Sequence, residues 1–141
     1  LAGATPTPNP VAIKATGAVN LVSPSNAVGS TVQVSASTTH TFTWDAYAST
    51  SDYVIEVLDA ATGAVIWGGF TGSGNTAAKT FSIPSAQTSV VFNFNGQATD
   101  LLVVGRTYRW RVYASKDNVQ SATGWELISM SEDQRGLITI Q

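Results

Sequence analysis

Apolar side chains along this chain recur at every second residue in short runs, and almost nowhere at every third or fourth. Thr31–Ser35 alternates with a period of two, and Thr39–Trp44 does so again, placing His40, Phe42 and Trp44 on one face. Asp52–Leu58 sets Tyr53, Ile55 and Val57 on one side and Val54, Glu56 and Leu58 on the other. That period is the pleat of a β-strand. Further runs fall at Val19–Val22, Ala64–Trp67, Lys79–Ile83, Val90–Phe94, Arg106–Ala114 (the longest), Trp125–Met130 and Leu137–Ile140. Turn signals separate them: Asp59–Gly63, the glycine-rich Gly68–Asn75, Pro84 and Asn95-Gly96. β-branched residues dominate the apolar positions and no helical window stands out, so the spacing predicts an all-β, antiparallel β-sandwich.

The first 18 residues differ from the rest. Thr5-Pro6-Thr7-Pro8-Asn9-Pro10 reads as an extended, polyproline-like leader, because proline fixes φ and pushes the preceding residue out of the helical region. Val11–Thr16 alternates weakly and predicts a short strand, which Gly17 breaks. The organisation expected is a leader over 1–18 and a sandwich over 19–141. The chain opens on Leu1, so a processed product or a fragment is expected, with Leu1-Ala2-Gly3-Ala4 either the remnant of an export signal or a plain boundary.

Composition narrows the setting. Of 141 residues, 43% are hydrophobic, enough for a core, while 11% are charged, against an average of about 25%. Ser, Thr, Ala, Gly and Asn fill the difference, a surface that fits an extracellular module better than a cytosolic enzyme. The net charge of −2 argues against nucleic acid and anionic membranes as partners. There is no cysteine, so stability comes from packing without disulfides. No apolar run approaches the roughly 20 residues that span a bilayer.

Two segments resemble fibronectin type III domains. Phe42-Thr43-Trp44, followed by Tyr53-Val54-Ile55-Glu56-Val57 and Asp59–Gly63, is similar to that family's second and third strands. Leu102–Ala114 is similar to its Leu-x-x-Gly-x-x-Tyr-x-x-x-Val-x-Ala signature. The resemblance covers residues 19–131 and implies a fibronectin type III or immunoglobulin-like sandwich. It implies that Tyr108 is a corner tyrosine bonding back to upstream backbone, with Trp44, Trp110 and Val112 as core residues. On function it is nearly silent. The chain departs from the pattern at both ends, in the leader and in Glu132–Gln141, which either adds a strand or lengthens the last.

Catalysis needs positioned acids, bases or nucleophiles. The single histidine, His40, shares a strand face with Phe42 and Trp44, where a part-buried structural histidine is the simpler role than a general base. One histidine and no cysteine exclude a zinc site, and no Asp-x-Asp-x-Asp-Gly loop offers calcium. Asp45, Asp52 and Asp117 read as solvated loop acids. No enzyme, cofactor or metal is therefore expected. Trp67, before the glycine-rich loop, and Trp125, after Thr123-Gly124, are the candidate ligand aromatics, since exposed rings stack on sugars. Arg109 and Arg111 share a face and suggest a solvated edge or a cation–π ladder.

Two functions follow as expectations. The leading one is a non-enzymatic structural subunit of a secreted, self-assembling cell-surface filament. Val11, Ile13, Val19 and Leu21 would form a donor strand that adds to a sheet edge of another copy, and a head-to-tail contact of that kind does not close. Low charge keeps repulsion between stacked copies small. The alternative is a spacer or a glycan- or protein-binding module of a larger secreted protein, with the leader as its linker.

Overall fold

The computed structural model describes residues 17–37 and 39–141. Strands form where alternation and β-branched density place them: β1 (Leu21–Ser23), β2 (Val32–Val34), β3 (Thr41–Trp44), β4 (Asp52–Asp59), β5 (Val65–Gly68), β6 (Phe70–Thr71), β7 (Ala78–Lys79), β8 (Ile83–Pro84), β9 (Ser89–Val91), β10 (Thr107–Asp117), β11 (Trp125–Met130) and β12 (Leu137–Ile140). Among the described residues the helical pieces are single 3-10 turns at Gly74–Thr76 and Asp133–Arg135. The predicted strand at Val11–Thr16 lies outside the described residues.

A small sheet runs β1-β3-β9 and a larger one β2-β12-β10-β4-β5, with β11 beside β10 and β8 beside β4. Pairing is antiparallel except between β2 and β12, which are parallel. The sheets meet through aromatic rings on their inner faces. Phe42 of the small sheet lies 4.8 Å from Trp110 of the large one, and Trp44 lies 5.4 Å from Tyr53. Ile55, Val57, Val112, Ile138 and Ile140 fill the space between them. The fold is all-β with antiparallel sheets, and its layering is compatible with a β-sandwich. Burial of each such side chain contributes on the order of 2 kcal/mol.

The large sheet is covered on its outer side as well. Val54, Glu56 and Leu58 of β4 point away from the core, yet all three are buried. The segment read from sequence as a flexible glycine stretch folds back over them as the β6–β7 hairpin. Its turn back from β5 passes Gly68, where a Cβ would collide with the Ile55 carbonyl oxygen and φ is +74°. Phe70 then reaches Tyr113 and Trp125, while Lys79 pairs with Asp52 at 2.8 Å.

The last strand is broken in two. β11 pairs with β10 from Tyr113 to Asp117, and β12 pairs with it from Thr107 to Arg109. Between them the chain bends out at Ser131–Gly136, so Glu132–Gln141 adds a strand within this domain. The Gly136 carbonyl accepts from the Trp110 N–H, and a Cβ at Gly136 would strike the Trp110 carbonyl oxygen. Asn26, itself buried, ties the bend to the β1–β2 loop. Its side-chain amide donates to the Gln134 carbonyl at 2.6 Å, and its side-chain oxygen accepts from the Leu137 N–H at 3.0 Å. The run Val90–Phe94 also ends early, at Val91. Asn93 takes a left-handed φ of 58°, and its side chain accepts from the Ala98 N–H, a turn that asparagine tolerates.

Asn26→Ala removes several part-buried bonds from the buried Asn26 side chain to backbone groups, including Gln134 and Leu137, and a buried group left unpaired costs about 1–3 kcal/mol. The expected loss in a urea titration is about 2–4 kcal/mol, whereas Asn20→Ala, which removes an exposed bond to Asp45, shifts the curve by well under half as much.

Candidate interaction surface

The residues singled out from sequence separate into three places. Trp44, Tyr108 and Trp110 are buried in the core as the resemblance implies. The Tyr108 hydroxyl accepts a hydrogen bond from the Val103 N–H at 2.9 Å, which is the upstream corner bond expected of it. Trp110 donates its indole N–H to the Pro24 carbonyl at 2.9 Å.

The two candidate ligand tryptophans fare differently. Trp67 is 2% exposed. Its ring packs among Phe81, Phe92 and Phe94, and its N–H donates to Asn95 Oδ1. It caps the core and offers no platform to a ligand. Trp125 is half-buried on the outer face of the large sheet. Phe70 stacks on it at 5.7 Å, and the Lys79 ammonium sits 5.0 Å from its ring centre. This cluster comes from three separate elements, and the glycine-rich spacing before Lys79 gave no sign of it.

The arginines do not form a solvated edge. Arg111 donates from Nε and Nη2 to both oxygens of Asp133, and from Nη1 to Glu56 Oε1 at 3.0 Å. Tyr113 donates its hydroxyl to the same Glu56 oxygen. Burial first, then the Glu56 charge, pushes the Tyr113 phenol up to about 12. The Asp133 hydrogen bonds, above all, raise the Arg111 guanidinium beyond its ordinary value. These groups satisfy one another and pin β4, β10 and the bend together. Among the described residues no three His, Cys, Asp or Glu side chains gather as a metal would need. Asp52 is held by Lys79, and Asp45 accepts from Asn20.

The donor-strand residues complete the placement. Val11 and Ile13 lie outside the described residues. Val19 and Leu21 are buried in the chain's own core, Leu21 opposite Trp44 in the small sheet. Val19 makes a parallel bridge to Ser131, its N–H donating to the Met130 carbonyl at 3.1 Å. Ser129 donates its hydroxyl to the Gly17 carbonyl at 2.8 Å. The chain therefore runs out past β11, and beyond these contacts the far edge of β11 carries no strand among the described residues. Leu127 and Met130 stand exposed there, 44% and 39%. With Tyr113 and Ile128 they line a shallow, mostly apolar groove. No protein-family model matches this chain, and no curated protein matches it.

His40 supplies a test of the electrostatics. Burial holds its imidazole below the ordinary 6.5, and its Nε2 is enclosed without a partner. A histidine depressed in the folded state binds its proton more readily when unfolded, so its contribution to stability is present above pH 6.5 and is lost as pH falls through the folded value. Urea midpoints of the native chain should drop below pH 6.5 more steeply than those of His40→Gln; parallel curves would show that the imidazole does not titrate with folding.

Proposed function

We propose that the chain is a non-enzymatic structural subunit of an extracellular, self-assembling surface structure, built on a fibronectin type III-like β-sandwich and associating by strand addition through its N-terminal segment. The observation that carries this reading is the far edge of β11, which carries no strand among the described residues and has Gly17 and Val19 held at its end. A bare strand edge with apolar side chains is a template for another strand. The family assignment draws support from the sheet orders β1-β3-β9 and β12-β10-β4-β5 and from the Tyr108 corner bond. Val19 and Leu21 serve their own core, so the donating part falls to Val11, Ile13 and their neighbours. The alternative, a glycan-binding module, loses Trp67 as a platform and keeps only Trp125; as a plain spacer the chain would stay monomeric.

Light scattering on the full chain and on a version starting at Gly17 tests the proposal. A large particle that falls to a monomer on truncation is the expected result. Monomers in both samples would leave a spacer, and a tryptophan fluorescence change on adding polysaccharide would return the glycan reading.

A further inference from the structure

The chain contains one Asn-Gly step, Asn95-Gly96, and it stands in the turn that follows β9. Asparagine before glycine carries a latent reaction. The backbone nitrogen of the next residue can attack the side-chain carbonyl carbon, and glycine has no Cβ to block the approach. Every other described asparagine precedes a residue with a side chain: Leu21, Ala27, Thr76, Phe94 or Val119. The turn is also open at this point. Gly96 is exposed, and a Cβ on it would meet no atom within 4 Å.

The fold holds both reacting groups. The Asn95 side-chain oxygen accepts from the Trp67 indole N–H at 3.0 Å and from the Gln97 N–H at 3.1 Å. Both partners are donors, which fixes the end of the amide that faces them. The Gly96 N–H, which carries the attacking nitrogen, is given to the Asn93 carbonyl at 3.1 Å. For reaction the Asn95 side chain must turn its carbonyl carbon onto that nitrogen, and the nitrogen must release its hydrogen bond. Trp67 resists the first motion most firmly, since its buried ring is wedged among Phe81, Phe92 and Phe94. The reaction therefore waits on local opening of the turn.

We propose that Asn95 is a site of spontaneous deamidation whose rate is set by the hydrogen bond from Trp67. In the opened turn the Gly96 nitrogen bonds to the Asn95 side-chain carbonyl carbon and loses its proton. The bond from that carbon to the amide nitrogen breaks, ammonia leaves, and a succinimide ring closes. Water then adds to either ring carbonyl and opens it. The product is aspartate at position 95, or an isoaspartate whose main chain runs through the former side chain. One water is taken up and one ammonia released, and nothing is oxidised or reduced. The isoaspartate lengthens the main chain by one carbon inside a tight turn. The Trp67 N–H then loses its placed acceptor while its ring stays buried, which weakens the cap over the core. The bond that protects the asparagine is the one its modification undoes.

The full chain is incubated at mildly alkaline pH, native and in urea, and the replacement of NH2 by OH is followed by intact mass. Peptide fragmentation locates the change and separates isoaspartate from aspartate. Conversion should fall at Asn95 and run about tenfold slower in the native chain than in the unfolded one. Trp67→Phe keeps an apolar ring in the cap and removes the N–H, and native conversion should then rise about fivefold. Tyr108→Phe removes the bond to Val103, which shares no partner with Asn95, and should leave the rate unchanged. Should Trp67→Phe fail to fold, the unmodified chain still decides. Below the unfolding midpoint, its conversion should rise in step with hydrogen exchange at the Trp67 indole N–H as urea is added. Equal native and unfolded rates, conversion concentrated at another asparagine, no link to indole exchange, or equal acceleration by the two variants would each overturn the proposal. The isoaspartate form, isolated by chromatography, should unfold at lower urea than its parent; an unchanged midpoint would overturn the effect on the cap.

Discussion

The grip of Arg111 on Asp133 fixes the point at which the final strand stops being one strand. Asp133 sits at the head of the short turn that separates β11 from β12, and Arg111 holds it in a two-point bond from the middle of β10. Paired forks of this kind are stronger and more directional than single bonds. The turn lifts the chain away from β10 for a few residues, and three consequences follow. Gly136 comes back close against the Trp110 backbone. Asn26 finds both Gln134 and Leu137 within reach. Ser131 turns its hydroxyl to the Val112 N–H, leaving Met130 free to accept from Val19. Without the bend, neither β2 nor Val19 would have its place on the edge.

Arg111 also faces Glu56, and this ties the bend to the outer side of β4. A carboxylate as buried as Glu56 is tolerated only when paired and hydrogen-bonded. Arg111 and Tyr113 supply both kinds of partner. The β6–β7 hairpin closes over this group, and the close approach of Gly69 to the Glu56 side chain leaves no room for a Cβ. What looks from outside like a polar sheet face is thus a second, smaller interior. Its polar groups are consumed by one another, and that is why it reads as architecture rather than chemistry.

Local pattern carried most of the architecture. Period-two runs located β3, β4, β10, β11 and β12, and the resemblance to fibronectin type III domains implied an upstream backbone bond for Tyr108, which falls on Val103 only a few residues away. What stayed illegible depends on residues far apart. Lys79 gives no hint that it meets Asp52 and Trp125, and Arg111 none that it bridges Glu56 and Asp133. The β6–β7 hairpin read as loop because glycine density signals conformational freedom without saying where that freedom is used. Trp67 stood as a candidate ligand aromatic because it borders that loop, yet its partners Phe81, Phe92 and Phe94 lie beyond it in sequence. The edge itself was missed for a related reason. Val19 and Leu21 look like one alternating strand, but the chain passes from the large sheet to the small one between them.

That crossing limits how strand donation could work. Val19 is fixed in the core, and Ala18 alone stands between it and Gly17, which Ser129 already contacts. A segment tethered so closely to its own β11 meets that edge at an effective concentration of millimolar order or higher. A neighbour competes only where subunits are packed closely enough for its own β11 to lie within a few residues of Gly17, or where the Val19 bridge first gives way. Association through this edge would also bury surface around the added strand. The exposed Leu127 and Met130 beside Tyr113 are the apolar area available next to it. Assembly through this edge is therefore a question of how subunits pack along β11, more than of how well the strand itself pairs.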